Sequence, residues 1–322
     1  MSKTPVAQPA QEAAVIDLGT NTFHLLIGRF DAQGKLHTSL RERRYVRLLR
    51  EQADAISPPA AERAREVCRF MGQLLGQREL RAVRAYGTAA FRTAANGPAL
   101  RAELSELLGT QIEIIDGDRE AQLIARGVLA GGLPRPGGSL IMDIGGGSVE
   151  YILLDEAGQA LASKSLPVGA QVLRSAFHLE EPFSTGQQEA ALFAHLDRLV
   201  QPLFDELHSI CEQRQLRMAA VLGASGTFDV LAQWSGAGPE EVLTRIDAGL
   251  VRTLYTESLL MTEQQRLADP RIPDERADLL VVALALVVWT LDRMTLDSGK
   301  APELWRTAYA LKEGALAEST ID

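Results

Sequence analysis

The 322-residue chain carries 33 Lys and Arg against 42 Asp and Glu, a net charge of −9, and 46% of its residues are hydrophobic. That balance excludes a general nucleic-acid coat protein, which needs excess positive charge, and it suits a soluble globular chain with room for two domains. Cys68 and Cys211 lie far apart and outside any CxxC pattern, which argues against a disulfide framework or a zinc site and fits a reducing cytoplasm.

Residues 1–13 lack the apolar region of a signal peptide and read as a disordered lead-in. Residues 14–30 predict a β-hairpin, and 36–48 continue in strand-like stretches. Residues 58–79 have helical spacing, with Pro58 and Pro59 at the start, where proline is tolerated. A strand at 82–88, a loop or helix entry at 89–96, a helix at 98–110, a strand at 112–116 and a helix at 118–132 follow. A hairpin followed by alternating helix and strand predicts a mixed α/β domain with helices covering its sheet. GLPRPGG (132–138) reads as a hinge. Beyond it come a second hairpin at 140–154, a strand leading into a helix at 161–173, a long helix at 186–216 and a strand, glycine turn and helix at 218–234. The chain from Pro239 reads as helix-rich, and 304–318 as a strand or turn followed by a helix. The longest apolar run, LLVVALALVVWTL at 279–291, is too short for a membrane span of ~20 residues and predicts a buried core helix.

The two hairpins are built alike. VIDLGTNTFHLLIG and LIMDIGGGSVEYILL each run apolar strand, Asp-x-Gly, small turn, apolar strand; Asp17 aligns with Asp143, Gly19 with Gly145, Thr22 with Ser148 and His24 with Glu150. Glycine-rich turns let backbone N–H groups cradle phosphate oxygens, and an acid at the end of a strand suits Mg²⁺ or its water shell. Gly145, Gly146, Gly147 and Ser148, between Asp143 and Glu150, carry this signal most strongly, although glycines also serve tight hairpins. In the first turn Thr20, Asn21 and Thr22 offer hydroxyl and amide donors. His24 reads equally as a ligand or as a core histidine. GASGT (223–227) places Gly223, Ser225, Gly226 and Thr227 between a strand and a helix N-terminus, which is an anion-site geometry as well as a plain turn. RERRYVRLLR (41–50) carries Arg41, Arg43, Arg44, Arg47 and Arg50 and reads either as a polyanion track or as a solvated face.

AVIDLGTNTFHLLI, GTAAFRTAAN, IEIIDGDREAQLIARGV, LIMDIGGGSVEYIL, LPVGA, VLGASGT and YALKEGAL occur in one order along the chain. In these segments the sequence resembles the exopolyphosphatase / guanosine pentaphosphate phosphatase family, in its short two-domain form. The resemblance implies an α/β fold of two ribonuclease-H-like domains, as in the actin-like and sugar-kinase ATPase superfamily, with a cleft between them. The expected domains are 14–128 and 129–303, with the helix within about 304–322 returning to the first. The resemblance assigns Glu120 as the catalytic carboxylate; from its own context Glu120 is an acid in the first turn of a helix, which the helix dipole favours. It assigns Asp143 and Glu150 to Mg²⁺, Asp17 with Gly19 to the first phosphate turn, and Arg92 to the cleft, where guanidinium suits phosphate. The family often has arginine where this chain has His24, and a glutamate where it has Arg119.

The implied activity is Mg²⁺-dependent hydrolysis of the terminal phosphoanhydride of inorganic polyphosphate. Removal of the 5′ terminal phosphate of guanosine pentaphosphate is the alternative. A kinase on the same fold, or a non-catalytic sensor of guanosine tetraphosphate, are the competing classes. No nucleic-acid or membrane partner is expected, and a homodimer stays open.

Overall fold

The computed structural model describes residues 11–50, 54–177, 186–238, 241–295 and 301–319, so most of the expected lead-in lies outside the described residues. The first sheet contains β1 (Ala13–Leu18), β2 (Thr22–Phe30), β3 (Leu36–Tyr45), β4 (Ala82–Gly87) and β5 (Ile112–Ile114), in the order β3-β2-β1-β4-β5. The first three strands are antiparallel, while β4 and β5 run parallel to β1. The second sheet contains β6 (Gly138–Ile144), β7 (Val149–Leu154), β8 (Ala160–Leu166), β9 (Met218–Ala224), β10 (Leu243–Ile246) and β11 (Glu303–Thr307). Read from its edge, β8-β7-β6-β9-β11 repeats the order and the strand directions of the first sheet, and β10 is added antiparallel at the far side. The duplication visible in the hairpins therefore extends over a five-strand unit. Strand β10, LTRI, falls in the stretch expected to be helical. Its four residues are too few to show a period, and its pairing comes from β11, distant in sequence.

Helices α1 (Pro58–Gly76), α2 (Ala89–Thr93), α3 (Gly97–Leu108) and α4 (Gly117–Gly131) accompany the first sheet. Ser57 caps α1 by accepting from the Ala60 N–H, and Asp116 caps α4 by accepting from the Arg119 N–H. Alternation on β1 sends Ile16 and Leu18 into one core with Phe23, Met71 and Leu104, and sends Ala13 and Val15 into another. The second unit adds α5 (Ala170–Phe177), α6 (Gly186–Arg214), α7 (Gly226–Trp234), α8 (Ala248–Leu259), α9 (Glu263–Ala268) and α10 (Leu280–Thr295), while α11 (Leu311–Ser319) packs on α4, β1 and β2 of the first. Every residue from Leu280 to Leu291 is buried, as the unbroken apolar run requires of a core helix.

A shared core joins the two sheets. Val15 and Leu26 from the first pack with Ile141, Ile152 and Leu222 from the second, together with Ile124 of α4 and Leu311 and Leu316 of α11. The two helices cross backbone to backbone. A Cβ at Gly127 would lie 1.9 Å from the Ala310 carbonyl oxygen, and one at Gly314 would lie 1.8 Å from that of Leu123. Arg119 and Arg126 of α4 both pair with Glu318 at the end of α11.

Candidate active site

The two expected phosphate turns are closed in the same way. The Gly19 N–H donates to the Thr22 carbonyl at 3.0 Å, and the Gly145 N–H donates to the Ser148 carbonyl at 2.9 Å. Each turn is also tied back by the segment after its third strand. Val46 and Leu48 donate to the carbonyls of Asn21 and Thr20, while Gln171 and Ala170 donate to those of Gly146 and Gly145. With the carbonyls held from behind, the N–H groups of Thr20, Asn21, Gly146 and Gly147 have no acceptor among the described residues. The turns meet closely. A Cβ at Gly146 would lie 2.5 Å from Asn21 Nδ2, and one at Gly147 would lie 2.7 Å from Thr20 Oγ1. Glycine at both positions lets the loops face one another across the gap.

Between the turns lies a cavity of about 150 Å³. Asp17, Gly19, Thr20, Asn21, Thr22, Glu120, Asp143, Gly145, Gly146, Gly147, Ser148, Glu150, Ser225 and Gly226 all line it, so most of the predicted site converges. The Thr20, Asn21 and Ser225 side-chain oxygens are buried without a hydrogen-bond partner among the described residues. Buried polar atoms are rarely left unsatisfied, so these three suit a polar ligand. Ser225 also holds φ 100° and ψ 167° at the start of α7, a region that costs a non-glycine residue of order 1–3 kcal/mol.

The acids face one another at low exposure. Burial raises the Asp17 carboxyl to about 7, opposed by Lys312 and reinforced by Glu120 and Asp143. Burial likewise lifts Asp143 to about 7, reinforced by Glu120. Glu150, 2% exposed, is raised well above its ordinary range by burial and by Glu120 and Asp143, against the Ser165 hydroxyl, which donates to it at 2.7 Å. Glu120 is raised by burial and held down by Arg92, whose guanidinium donates to Glu120 Oε2 at 2.7 Å and to the Ile115 carbonyl at 2.8 Å. Such a cluster favours any cation that enters it. Among the described residues, no three Asp, Glu, His or Cys side chains converge into a cage for an ion.

Three predicted residues stand off the cavity wall. Arg92 reaches the site through Glu120. A Cβ at Gly223 would overlap the Phe228 ring at 2.0 Å, and Thr227 lines a small pocket behind the wall with Leu279 and Leu280. His24 does line the cavity, with Nε2 3.1 Å from Thr22 Oγ1; burial and then Lys312, Arg43, Arg276 and Arg41 push its pKa far down, so the ring is neutral. Of the arginine run, Arg43 lines the cavity, whereas Arg41 pairs with buried Glu313 at 3.1 Å and Arg47 bridges to Asp278 at 3.2 Å. Arg44 pairs with Glu42 and lies over the Phe70 ring. The sequence reading missed Lys312, Asp229 and Arg276, all of which line the cavity. Only Lys312 carried a signal, since it lies inside the quoted YALKEGAL segment.

The Ppx/GppA phosphatase family matches residues 26–320. The chain belongs to this family. The guanosine-5′-triphosphate,3′-diphosphate pyrophosphatase of Vibrio cholerae serotype O1 (El Tor Inaba N16961) is 29% identical over 314 residues, covering 96% of this chain and 59% of the relative. The chain thus spans about three-fifths of the length of the curated relatives it matches. The crystal structure of an exopolyphosphatase from Cytophaga hutchinsonii superposes with a TM-score of 0.87 at 30% identity, covering 97% of this chain and 98% of that one. The Ppx/GppA family member of Aquifex aeolicus, 21% identical with a TM-score of 0.76 and coverage of 97% and 98%, shares the fold.

Proposed function

We propose that this chain hydrolyses the terminal phosphoanhydride of inorganic polyphosphate and releases orthophosphate. The observation that carries the reading is the arrangement of one cavity: two loops whose N–H groups have no acceptor among the described residues, and four acids, two of them buried and one held by an arginine. Membership of the Ppx/GppA family, and the likeness to an exopolyphosphatase over nearly the whole of both chains, support it.

In this reading the terminal phosphoryl sits between the two turns. Backbone N–H groups from Thr20, Asn21, Gly146 and Gly147 hold its oxygens, and the Thr20 and Ser225 hydroxyls add donors. Lys312 supplies positive charge at the cavity wall. Donors fixed in advance stabilise charge that develops in the transition state without reorganising. Glu120 accepts the proton of the attacking water, and Arg92 keeps that carboxylate oriented and ionised, as a general base must be. The hard oxygen donors of Asp143 and Glu150 suit Mg²⁺, which characteristically takes one or two carboxylates and completes its shell with water and phosphate oxygens. Bound there, Mg²⁺ would neutralise phosphate charge and relieve the mutual repulsion of the acids.

Guanosine pentaphosphate is the second reading, favoured by the name of the Vibrio relatives. Phosphate release from long-chain polyphosphate, guanosine pentaphosphate and ATP, each with Mg²⁺, separates the readings. Release from polyphosphate is expected, and Glu120→Gln is expected to slow it at least a hundredfold while keeping binding within about threefold, given that general bases contribute ~10²–10⁴ in rate. A wild-type protein inert on all three substrates refutes the hydrolase reading.

A further inference from the structure

The catalytic cavity, at about 150 Å³, is smaller than the ~300–1,000 Å³ of ordinary small-molecule sites, so a substrate longer than its terminal groups must leave it. One neighbouring groove of about 290 Å³ is continuous with it, because Arg43, Gly226, Asp229 and Arg276 line both. Arg306 and Tyr45 complete the charged and aromatic part of that groove. Three arginines against one acid make it a cationic patch on a protein whose net charge is −9.

The single acid sits between two of the cations. Asp229 Oδ1 accepts from Arg306 at 2.9 Å, and Asp229 Oδ2 lies 3.8 Å from Arg43. Arg306 is anchored independently, since its Nη1 donates to the Glu241 carbonyl at 2.6 Å. The Arg43 guanidinium makes no hydrogen bond among the described residues; it rests over the Tyr45 ring, 5.4 Å from the centroid. An ion pair this long and this exposed is weak, so an incoming anion can take Asp229's place on Arg43 at little cost. The groove suits inorganic anions better than a base. Its one aromatic ring already carries Arg43 and, at 5.7 Å, Arg276, so stacking a base on Tyr45 would displace favourable cation contacts.

We propose that the groove bounded by Arg43, Arg306 and Asp229 is a second anion subsite, which takes the phosphates of a polyphosphate chain beyond the cleaved bond, and that Asp229 is its internal counter-ion. The proposal rests on the hydrolase reading above. Arg43 and Arg306 hold the tail of the polymer while its end lies between the two turns, and Asp229 discourages occupation by ligands too short to displace it. Arg43 comes from the arginine-rich strand and Asp229 from the first turn of α7, so the subsite spans both sheets.

The test measures binding in the Glu120→Gln background, where turnover does not interfere, using long-chain polyphosphate, pyrophosphate and guanosine pentaphosphate at fixed salt and Mg²⁺. Arg43→Ala is expected to weaken long-chain polyphosphate at least tenfold and the other two ligands less than threefold. Asp229→Asn, which keeps the side-chain volume, is expected to tighten long-chain polyphosphate several-fold. Arg44→Ala, on the same strand but paired with Glu42, serves as the charge-matched control and is expected to have less than a twofold effect. Equal losses for Arg43→Ala and Arg44→Ala overturn the subsite as mere bulk electrostatics. An equal loss for pyrophosphate, or for guanosine pentaphosphate, overturns its assignment to the polymer tail. If the wild type releases phosphate from polyphosphate while Arg43→Ala binds the polymer like its parent, the subsite is refuted and the hydrolase reading stands. If the wild type releases none, the hydrolase reading fails whatever Arg43 does.

Discussion

Asp143→Asn is expected to make the metal-free protein more stable while removing its activity. The folded pKa of Asp143 is raised from 3.8 to about 7 by burial and by Glu120. An acid raised in this way contributes stability that is complete below its unfolded pKa and is lost as pH climbs through its folded value. At pH 8 the ionised group therefore costs the fold free energy. A shift of roughly three units at ~1.4 kcal/mol each sets a ceiling of about 4 kcal/mol. Glu120 shares that repulsion, so removing one partner recovers only part of it. A gain of about 2 kcal/mol, or roughly 4–8 °C in melting temperature for a domain-sized unit, is the expectation. Thermal melts of wild type and Asp143→Asn, with chelator and then with Mg²⁺, at pH 8 and pH 5, check it. The gain should be present at pH 8, shrink at pH 5, where the wild-type carboxyl is already protonated, and shrink again when Mg²⁺ stabilises the wild type. A variant no more stable than wild type at pH 8 without metal, or a gain of equal size at both pH values, refutes the electrostatic account.

Arg92→Ala removes the cation that holds the Glu120 pKa down, so the acidic limb of the pH–rate profile should move to higher pH, with a larger loss at pH 6 than at pH 9; an unshifted limb would separate Arg92 from Glu120. Gly314→Ala places a methyl 1.8 Å from the Leu123 carbonyl oxygen, and overpacking against backbone should cost about 3 kcal/mol or more, read as a lower melting temperature. Ser225→Gly relieves the φ 100° backbone and should exceed Ser225→Ala in stability by about 1 kcal/mol, although both lose the hydroxyl and bind orthophosphate more weakly by calorimetry.

The framework of the site was legible because its strongest elements are local. Asp17 to Thr22 and Asp143 to Ser148 are contiguous turns with unusual glycine content, and the strands on either side alternate cleanly. Glu120 was different. Its own context, an acid in the first turn of α4, does not distinguish a catalytic group from a dipole partner, and the resemblance supplied the role. Lys312, Asp229 and Arg276 come from three separate segments and meet only when α11, α7 and the turn before α10 are assembled. No spacing in the chain encodes that meeting. The arginine run could not be resolved from sequence because strand alternation and the local partners decide each residue separately: Arg43 faces the cavity, Arg44 the surface and Arg41 the buried Glu313. Gly223 and Thr227 were drawn into the predicted site by the glycine turn, but only Ser225 and Gly226 of that segment reach the cavity.

The crossing of Gly127 and Gly314 makes α4 and α11 a single mechanical part. Glu120 rides on one helix, seven residues before Gly127, and Lys312 on the other, two residues before Gly314. Any motion that parts the two sheets must bend the chain elsewhere, at the connections into β6 and out of β11, because the glycine joint has no room to slide. The acid and the ammonium would then keep their registry through repeated opening, as two teeth on one jaw.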